Sequence, residues 1–264
     1  MEHQHNSNQN ERISSPSLQF NKIAFLYDEL MLGVPYRQWL DYIERMLDKF
    51  RMEPANVLDL CCGTGTISRL IAKEKDWEVV GVDISSEMIE IARHRSEESG
   101  LGITYHVQDA AKLHVGRKFD LVISLFDSLN YITEAPDLQN AFYRVYEHLN
   151  PGGLFIFDMN TELALASGLF NQSNLGSHRA PVHYKWQSSY NQLAKICRIN
   201  MDFIYRNNGS DERIEVVHYQ RAYDVIEVVE MLVNAHLQVH AVYDAYSFAD
   251  ASSRSDRVFY VCRK

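Results

Sequence analysis

The sequence predicts an α/β fold: a doubly wound, mostly parallel seven-stranded sheet carrying an inserted antiparallel β flap. Two observations lead to it. Between residues 56 and 157, short apolar runs without polar alternation take turns with stretches of helical periodicity. Strands of that kind are buried on both faces, which requires a parallel sheet covered by helices and wound by right-handed crossovers. After Asp158 the pattern changes to period two, with Cys197, Ile199, Met201, Phe203 and Tyr205 falling on one face. This is the pattern of antiparallel strands with one covered side.

In chain order, residues 20–31 and 36–50 read as helices separated by Gly33-Val34-Pro35. Trp39, Ile43, Met46, Leu47 and Phe50 form the apolar stripe of the second. Strands follow at 56–61, 79–82, 103–107, 119–125 and 154–157. Between them lie helices at 65–75, 85–99 and 136–149. Ser85 suits an N-cap, with Glu87 in the first turn behind it. Asn150-Pro151-Gly152-Gly153 closes the third of these helices. Flap strands are expected at 183–190, 195–205 and 213–223, with Asn207-Asn208-Gly209 as a turn. A helix at 225–234 and strands at 238–246 and 257–263 complete the sheet.

The chain has 264 residues, 46% hydrophobic and 23% charged, with a net charge of −9. That is ordinary globular usage, and the length suits one large domain with an insertion. The acidic balance opposes a sequence-independent nucleic-acid binder, which needs a basic face to displace counterions. No apolar run approaches the ~18–20 residues of a membrane span. Residues 1–18, with His3 and His5, read as a polar disordered tail without the apolar core of a signal peptide. Cys61 and Cys62 are adjacent while Cys197 and Cys262 stand alone, so no C-x-x-C pair points to a metal or redox site. Free buried thiols in a reducing cytoplasm, and no metal, are the expectation.

The chemistry concentrates in Asp59-Leu60-Cys61-Cys62-Gly63-Thr64-Gly65, a glycine turn between the first strand and its helix. In open sheets, ligands bind at this carboxyl end, where glycines admit a close approach and helix N–H groups stand free. Asp59 would repel a pyrophosphate here. The third glycine of a dinucleotide fingerprint is missing too, since Ser68 stands in its place. A ligand with an ammonium and no phosphate, such as S-adenosylmethionine, suits the turn better. Asp83 ends the second strand, twenty residues after Gly63, where a carboxylate can accept from two ribose hydroxyls or cap the next helix. Asp109, at the end of the third strand, can accept from an adenine amino group.

The ordered series Asp59-x-Cys61-Cys62-Gly63-Thr64-Gly65, Asp83, Asp109-Ala110, Phe119-Asp120-Leu121-Val122 and Leu149-Asn150-Pro151-Gly152-Gly153 resembles class I S-adenosylmethionine-dependent methyltransferases. The flap, with Gln220-Arg221-Ala222-Tyr223, is similar to that of a bacterial small-molecule subgroup that includes aminosugar N-methyltransferases. Tyr27-Asp28-Glu29-Leu30-Met31 and Tyr36-x-x-Trp39 resemble that subgroup's N-terminal lid. The resemblance implies a Rossmann-like methyltransferase domain over residues 53–264, a helical lid over 19–52 and a substrate flap over 171–223. One departure is Cys61, which stands where the family usually has the first glycine of its turn.

By the same resemblance, Asp59, Cys61, Gly63 and Gly65 hold the methionyl end, and Asp83, Ile84 and Met88 the ribose and adenine surroundings. Asp109 and Ala110 hold the adenine, and Leu125 lies by the methyl group. Met88 also suits plain core packing. Tyr27, Tyr36 and Trp39 either close over the cofactor or staple the N-terminal helices to the sheet. Asn130, Tyr131, His183 and Trp186 are candidate acceptor contacts, with Asp127 and His218 as weak choices for a base. Asp127 can equally cap a turn. The implied reaction moves a methyl group to N or O of a small molecule by direct displacement. Two other classes stay open, a nicotinamide-dependent oxidoreductase and a non-catalytic cofactor-binding protein, and homodimerisation is left open as well. Asp83→Ala is expected to abolish tight cofactor binding; unchanged S-adenosylhomocysteine affinity by calorimetry would remove Asp83 from the ribose site.

Overall fold

A computed structural model of the chain describes residues 16–175, 182–207 and 209–264. His3, His5 and most of the expected tail lie outside the described residues, as do 176–181 and 208 of the expected flap. The N-terminal region is three helices, α1 (Pro16–Asn21), α2 (Ala24–Leu30) and α3 (Tyr36–Lys49). Helix α1 therefore begins inside the stretch expected to be tail, and the helix expected over 20–31 is divided. A turn at Lys22-Ile23 breaks it, so that Phe20 and Leu26 both pack inward against the flap.

The central region alternates as its apolar runs require: β1 (Asn56–Leu60), α4 (Thr66–Glu74), β2 (Glu78–Asp83), α5 (Ser86–Glu98), β3 (Thr104–Val107), β4 (Phe119–Ser124), α6 (Ala135–His148) and β5 (Leu149–Asn160). The Ser85 hydroxyl caps α5, accepting from the Met88 N–H at 3.1 Å. Strand β5 starts earlier than the sequence suggests. The Asn150-Pro151-Gly152-Gly153 segment is a bulge within it, with pairing that jumps from Phe119↔Leu149 to Leu121↔Leu154. Gly153 is needed there, because a Cβ would stand 2.9 Å from the Asn150 carbonyl oxygen and 3.0 Å from that of Asp120.

Next come α7 (Glu162–Ala166), capped by Thr161, and the strands β6 (Gln172–Ser173), β7 (Val182–Asn191), β8 (Ile196–Asn207) and β9 (Ser210–Arg221). Helix α8 (Val225–Asn234) and strands β10 (Gln238–Asp244) and β11 (Arg257–Arg263) end the chain. Helix α7 and strand β6 are too short to impose a period on the sequence. The main sheet has seven strands in the order β10-β11-β5-β4-β1-β2-β3, with β11 antiparallel to both neighbours. The flap is a separate antiparallel sheet, β6-β7-β8-β9.

Three apolar layers hold these parts together. On one face of the main sheet, Phe155, Phe157 and Tyr260 pack with Phe142 of α6 and Leu232 of α8. On the other, Leu121, Ile123 and Phe259 meet Trp39, Ile43 and Met46 of α3. The covered face of the flap, Cys197, Ile199, Met201 and Phe203, meets Ile23 and Leu26 of the N-terminal helices. The period-two stripe in β8 is thus what buries the lid. In the first layer, Phe157 stacks on Tyr260 with ring centroids 4.7 Å apart and on Phe155 at 4.5 Å, and it is fully buried. Phe157→Ala is expected to lower stability by about 3–5 kcal/mol, the cost of a large aromatic lost from a core that cannot collapse. Urea denaturation with an unchanged midpoint would contradict this packing.

Candidate active site

The strand order reverses between β1 and β4: β2 and β3 extend the sheet one way, β4 and β5 the other. A crevice opens at the carboxyl ends of the strands at such a point. The turn after β1 is built to leave its backbone open. Cys61, Gly63 and Gly65 all have positive φ, at 63°, 55° and 74°. At Gly65 a Cβ would also stand 2.5 Å from the Tyr105 hydroxyl, so only glycine fits. Asp83 reaches across from β2: its Oδ2 accepts the Gly63 N–H at 2.8 Å and its Oδ1 the Ser85 N–H at 2.9 Å. Burial pushes its pKa up nonetheless. Asp109 caps the turn after β3, accepting from the Ala111 N–H at 2.9 Å.

Three cavities adjoin at this crevice. The largest, about 300 Å³, is lined by Cys61, Gly63, Asp83, Ile84, Met88, Asp109 and Ala110, together with Phe20, Tyr27 and Tyr131. Its far wall comes from Ile132, Thr133, Glu134 and Asp137 at the start of α6, which no sequence motif singled out. A small cavity of about 50 Å³ lies beside Asp59, Cys61, Gly63, Tyr36 and Leu125. A third, about 130 Å³, lies under the flap against Trp186, Met201 and His218, with Asp127, Tyr131 and Phe126. Tyr27 and Ser128 line all three. Ser128 was passed over because a lone serine in a loop carries no pattern.

Four expected site residues are placed elsewhere. Trp39 lines none of these cavities; its indole stacks on Phe126 at 4.0 Å and 9°, which is the stapling role. Gly65 packs against Tyr105 rather than facing the crevice. Asn130 is fully buried and structural: its amide donates to the carbonyls of Asn160 and Arg221 at 3.1 and 2.9 Å, and its carbonyl accepts the Asn160 N–H. Such a residue has no group left for an acceptor. His183 of β7 lines none of the three cavities.

The two weak choices for a base have distinct fates. Both carboxylate oxygens of Asp127 are engaged. Its Oδ1 accepts from Arg257 at 2.7 Å and its Oδ2 from the Gln220 amide at 2.5 Å. Arg257 also binds Asp158, whose Oδ2 accepts the Asp127 N–H at 2.9 Å. This buried cluster holds Phe126 and Asp127 in left-handed backbone, φ 66° and 48°, a conformation that side chains resist. Burial pushes Asp158 up to about 6, against the pull of Arg257 and with a further push from Asp127. His218 is almost fully buried, and its Nε2 donates to the Gln19 carbonyl at 3.0 Å. Its Nδ1 then carries a lone pair, 3.4 Å from the Tyr131 hydroxyl. Burial drops its pKa to about 4, so the ring is neutral near pH 7.

Asp59 is buried behind the glycine turn. One of its oxygens accepts from the Ser68 hydroxyl at 2.5 Å, and burial pushes its pKa up to about 7. The thiols of Cys61 and Cys62 are pushed up by burial and by the nearby carboxylates, so they are neutral and poor nucleophiles.

Arg257→Met would leave two buried carboxylates without their cation. A loss of about 3–5 kcal/mol is expected. The loss is largest at high pH and shrinks as pH falls toward about 6, because without the pull of Arg257 the buried Asp158 takes up its proton above that value and loses its charge. Urea denaturation at neutral and acidic pH checks this; a pH-independent deficit would show that charge is not its cause.

The comparisons with known proteins agree with this geometry. The family model described as a methyltransferase domain matches residues 57–153. The chain is 33% identical, over 93% of its length and 97% of the relative's, to YqeM of Bacillus subtilis (strain 168), a methyltransferase by name. It superimposes on the S-adenosylmethionine-dependent methyltransferase of Clostridium acetobutylicum ATCC 824 with a TM-score of 0.81 and 29% identity, covering 92% of this chain and 98% of that one. A dTDP-3-amino-3,4,6-trideoxy-alpha-D-glucopyranose N,N-dimethyltransferase of Streptomyces venezuelae is 34% identical over 51% of this chain and 56% of its own. Among the described residues no helix is long and apolar enough to cross a membrane. With a glycine turn at the switch point, an acidic residue at each of three strand ends and relatives that match nearly end to end, the chain belongs to the S-adenosylmethionine-dependent methyltransferases.

Proposed function

We propose that this methyltransferase moves a methyl group to nitrogen or oxygen of a small-molecule acceptor seated under the flap. The observation that carries the reading is the meeting of three cavities at Tyr27 and Ser128. The largest suits an adenosine, the smallest an amino-acid end, and the third an acceptor, so their junction is where the methyl group changes hands. Bound S-adenosylmethionine supplies an electrophilic sulfonium methyl, which an acceptor lone pair takes by in-line displacement while the carbon–sulfur electron pair stays on sulfur.

The residues present fit this cofactor. The oxygens of Asp83 already accept backbone N–H groups, and its carboxylate keeps room to accept from a ribose hydroxyl. Asp109 and Ala110 suit the adenine edge, with Ile84 and Met88 as its apolar bed. Cys61 and Gly63 leave the turn's backbone open to the methionyl chain. Asp59, beside the smallest cavity and bonded by the Ser68 hydroxyl, suits an ammonium that draws it into its charged form. Tyr27 and Tyr36, from the helices packed over the turn, exclude water from the junction.

Nitrogen suits the acceptor side better than oxygen. Asp127 is held by Arg257 and Gln220, and His218 binds a proton only weakly, so among the described residues no strong base faces the third cavity. An amine attacks as the neutral molecule and needs no base beforehand, whereas a hydroxyl would rely on the Tyr131–His218 pair to accept its proton. The deciding experiment incubates cell extract with the enzyme and deuterated-methyl cofactor, then searches for labelled products by mass spectrometry. A labelled small molecule is the expected result; label confined to protein or RNA would overturn the reading.

Because an ammonium favours the ionised carboxylate, cofactor affinity is expected to rise with pH through about 7, where Asp59 loses its proton, and to level off above it. Asp59→Asn should flatten the profile and bind weakly throughout. Calorimetry across this range checks both; an intact pH dependence in the variant would assign the titration to another group.

A further inference from the structure

Resting on the proposed small-molecule reaction, we infer that the acceptor is a compact, mainly apolar amine with a body about the size of one six-membered ring, and not a sugar nucleotide. The acceptor cavity holds about 130 Å³. A hydrocarbon-lined cavity of about 150 Å³ in another protein takes up benzene, so this space accommodates a single ring and little more. Its walls are chiefly Phe20, Ile23, Phe126, Phe170, Trp186 and Met201. Apolar and aromatic walls with few polar groups select a ligand by shape and by removal of its surface from water.

Few polar groups on the walls are free: the buried Trp186 indole N–H lacks a partner, while His218 Nδ1 faces the Tyr131 hydroxyl at 3.4 Å. Both carboxylate oxygens of Asp127 accept hydrogen bonds, and the Ser128 hydroxyl donates to the Leu125 carbonyl at 2.7 Å. A hexose in this box would bury several hydroxyls with too few partners, which is costly. A diphosphate needs cationic donors, and none of the described residues lining the cavity is Lys or Arg. Three cations of the flap region are paired elsewhere: Lys195 with Asp224, Arg213 with Asp202 and Arg221 with Glu227. The apolar walls also favour the neutral amine over its ammonium, which leaves the lone pair free for attack. The new N–C bond forms as the C–S bond breaks, the positive charge passes from sulfur to nitrogen, and the product amine sheds a proton on reaching water.

The test uses the full chain with S-adenosylhomocysteine bound. Benzylamine and cyclohexylamine are titrated by calorimetry beside glucosamine and a thymidine-diphosphate aminosugar, and all four are then assayed for methyl transfer with S-adenosylmethionine. The ring amines are expected to bind and to be methylated with kcat/KM at least about a hundredfold above either sugar, since an apolar site leaves sugar hydroxyls unpaired. Met201→Trp, which fills the cavity, should raise KM for the ring amines at least about tenfold with S-adenosylhomocysteine affinity unchanged. Phe170→Ala, which enlarges it, should shift preference toward bulkier arylalkylamines. Methylation of either sugar at an efficiency equal to the ring amines overturns the inference and keeps the proposed function. Absence of binding and turnover with both ring amines overturns the inference too. Label appearing only on protein or RNA overturns both.

Discussion

The cavity under the flap depends on one guanidinium. Arg257, on the antiparallel strand β11, bridges Asp127 after β4 and Asp158 on β5, and Asp127 in turn holds Gln220 of the flap. Four separate segments thus share one buried ionic cluster. It also compels the left-handed turn at Phe126 and Asp127, which sets Ser128 at the meeting of the three cavities. Two acids against one base is an uncomfortable arrangement in a low-dielectric interior. It persists because the amide of Gln220 and the N–H of Asp127 share the charge.

The N-terminal helices join the two halves. Asp28 accepts from the Thr64 hydroxyl of the glycine turn and pairs with Arg95 of α5, while the Ser85 hydroxyl donates to Asn21. On the acceptor side, the Gln19 carbonyl fixes the His218 tautomer and its side-chain oxygen accepts the Tyr219 N–H at 3.1 Å. Phe20 packs edge-on against both Tyr131 and His218. One short segment therefore touches the largest cavity and the cavity under the flap together. Water exclusion at the junction, on which a displacement reaction depends, follows from this double attachment.

The cofactor half was largely legible in the sequence because its signals are local. Asp59, Gly63, Asp83 and Asp109 each stand at the end of an apolar strand, and the fold brings strand ends together. Cys61 lines the crevice with positive φ. The acceptor half was less legible. Asn130 and Asp127 looked like substrate contacts by their position after β4, yet Asn160, Arg221, Arg257 and Gln220 occupy them. Those partners lie 30 to 130 residues away in the chain, and no spacing rule reaches that far. Ser128 and the wall before and at the start of α6 were missed because no local motif marks them.

By itself, the sequence determined the alternation of strands and helices, the antiparallel flap and the acidic strand ends, because hydrophobic period and turn chemistry act over a few residues. Only the tertiary structure decided which polar residues were free. A buried side chain serves either packing or chemistry according to who satisfies its hydrogen bonds. His218 and Asp127 are both buried polar groups beside the same cavity; long-range partners tie up Asp127 and leave His218 one open nitrogen lone pair facing Tyr131.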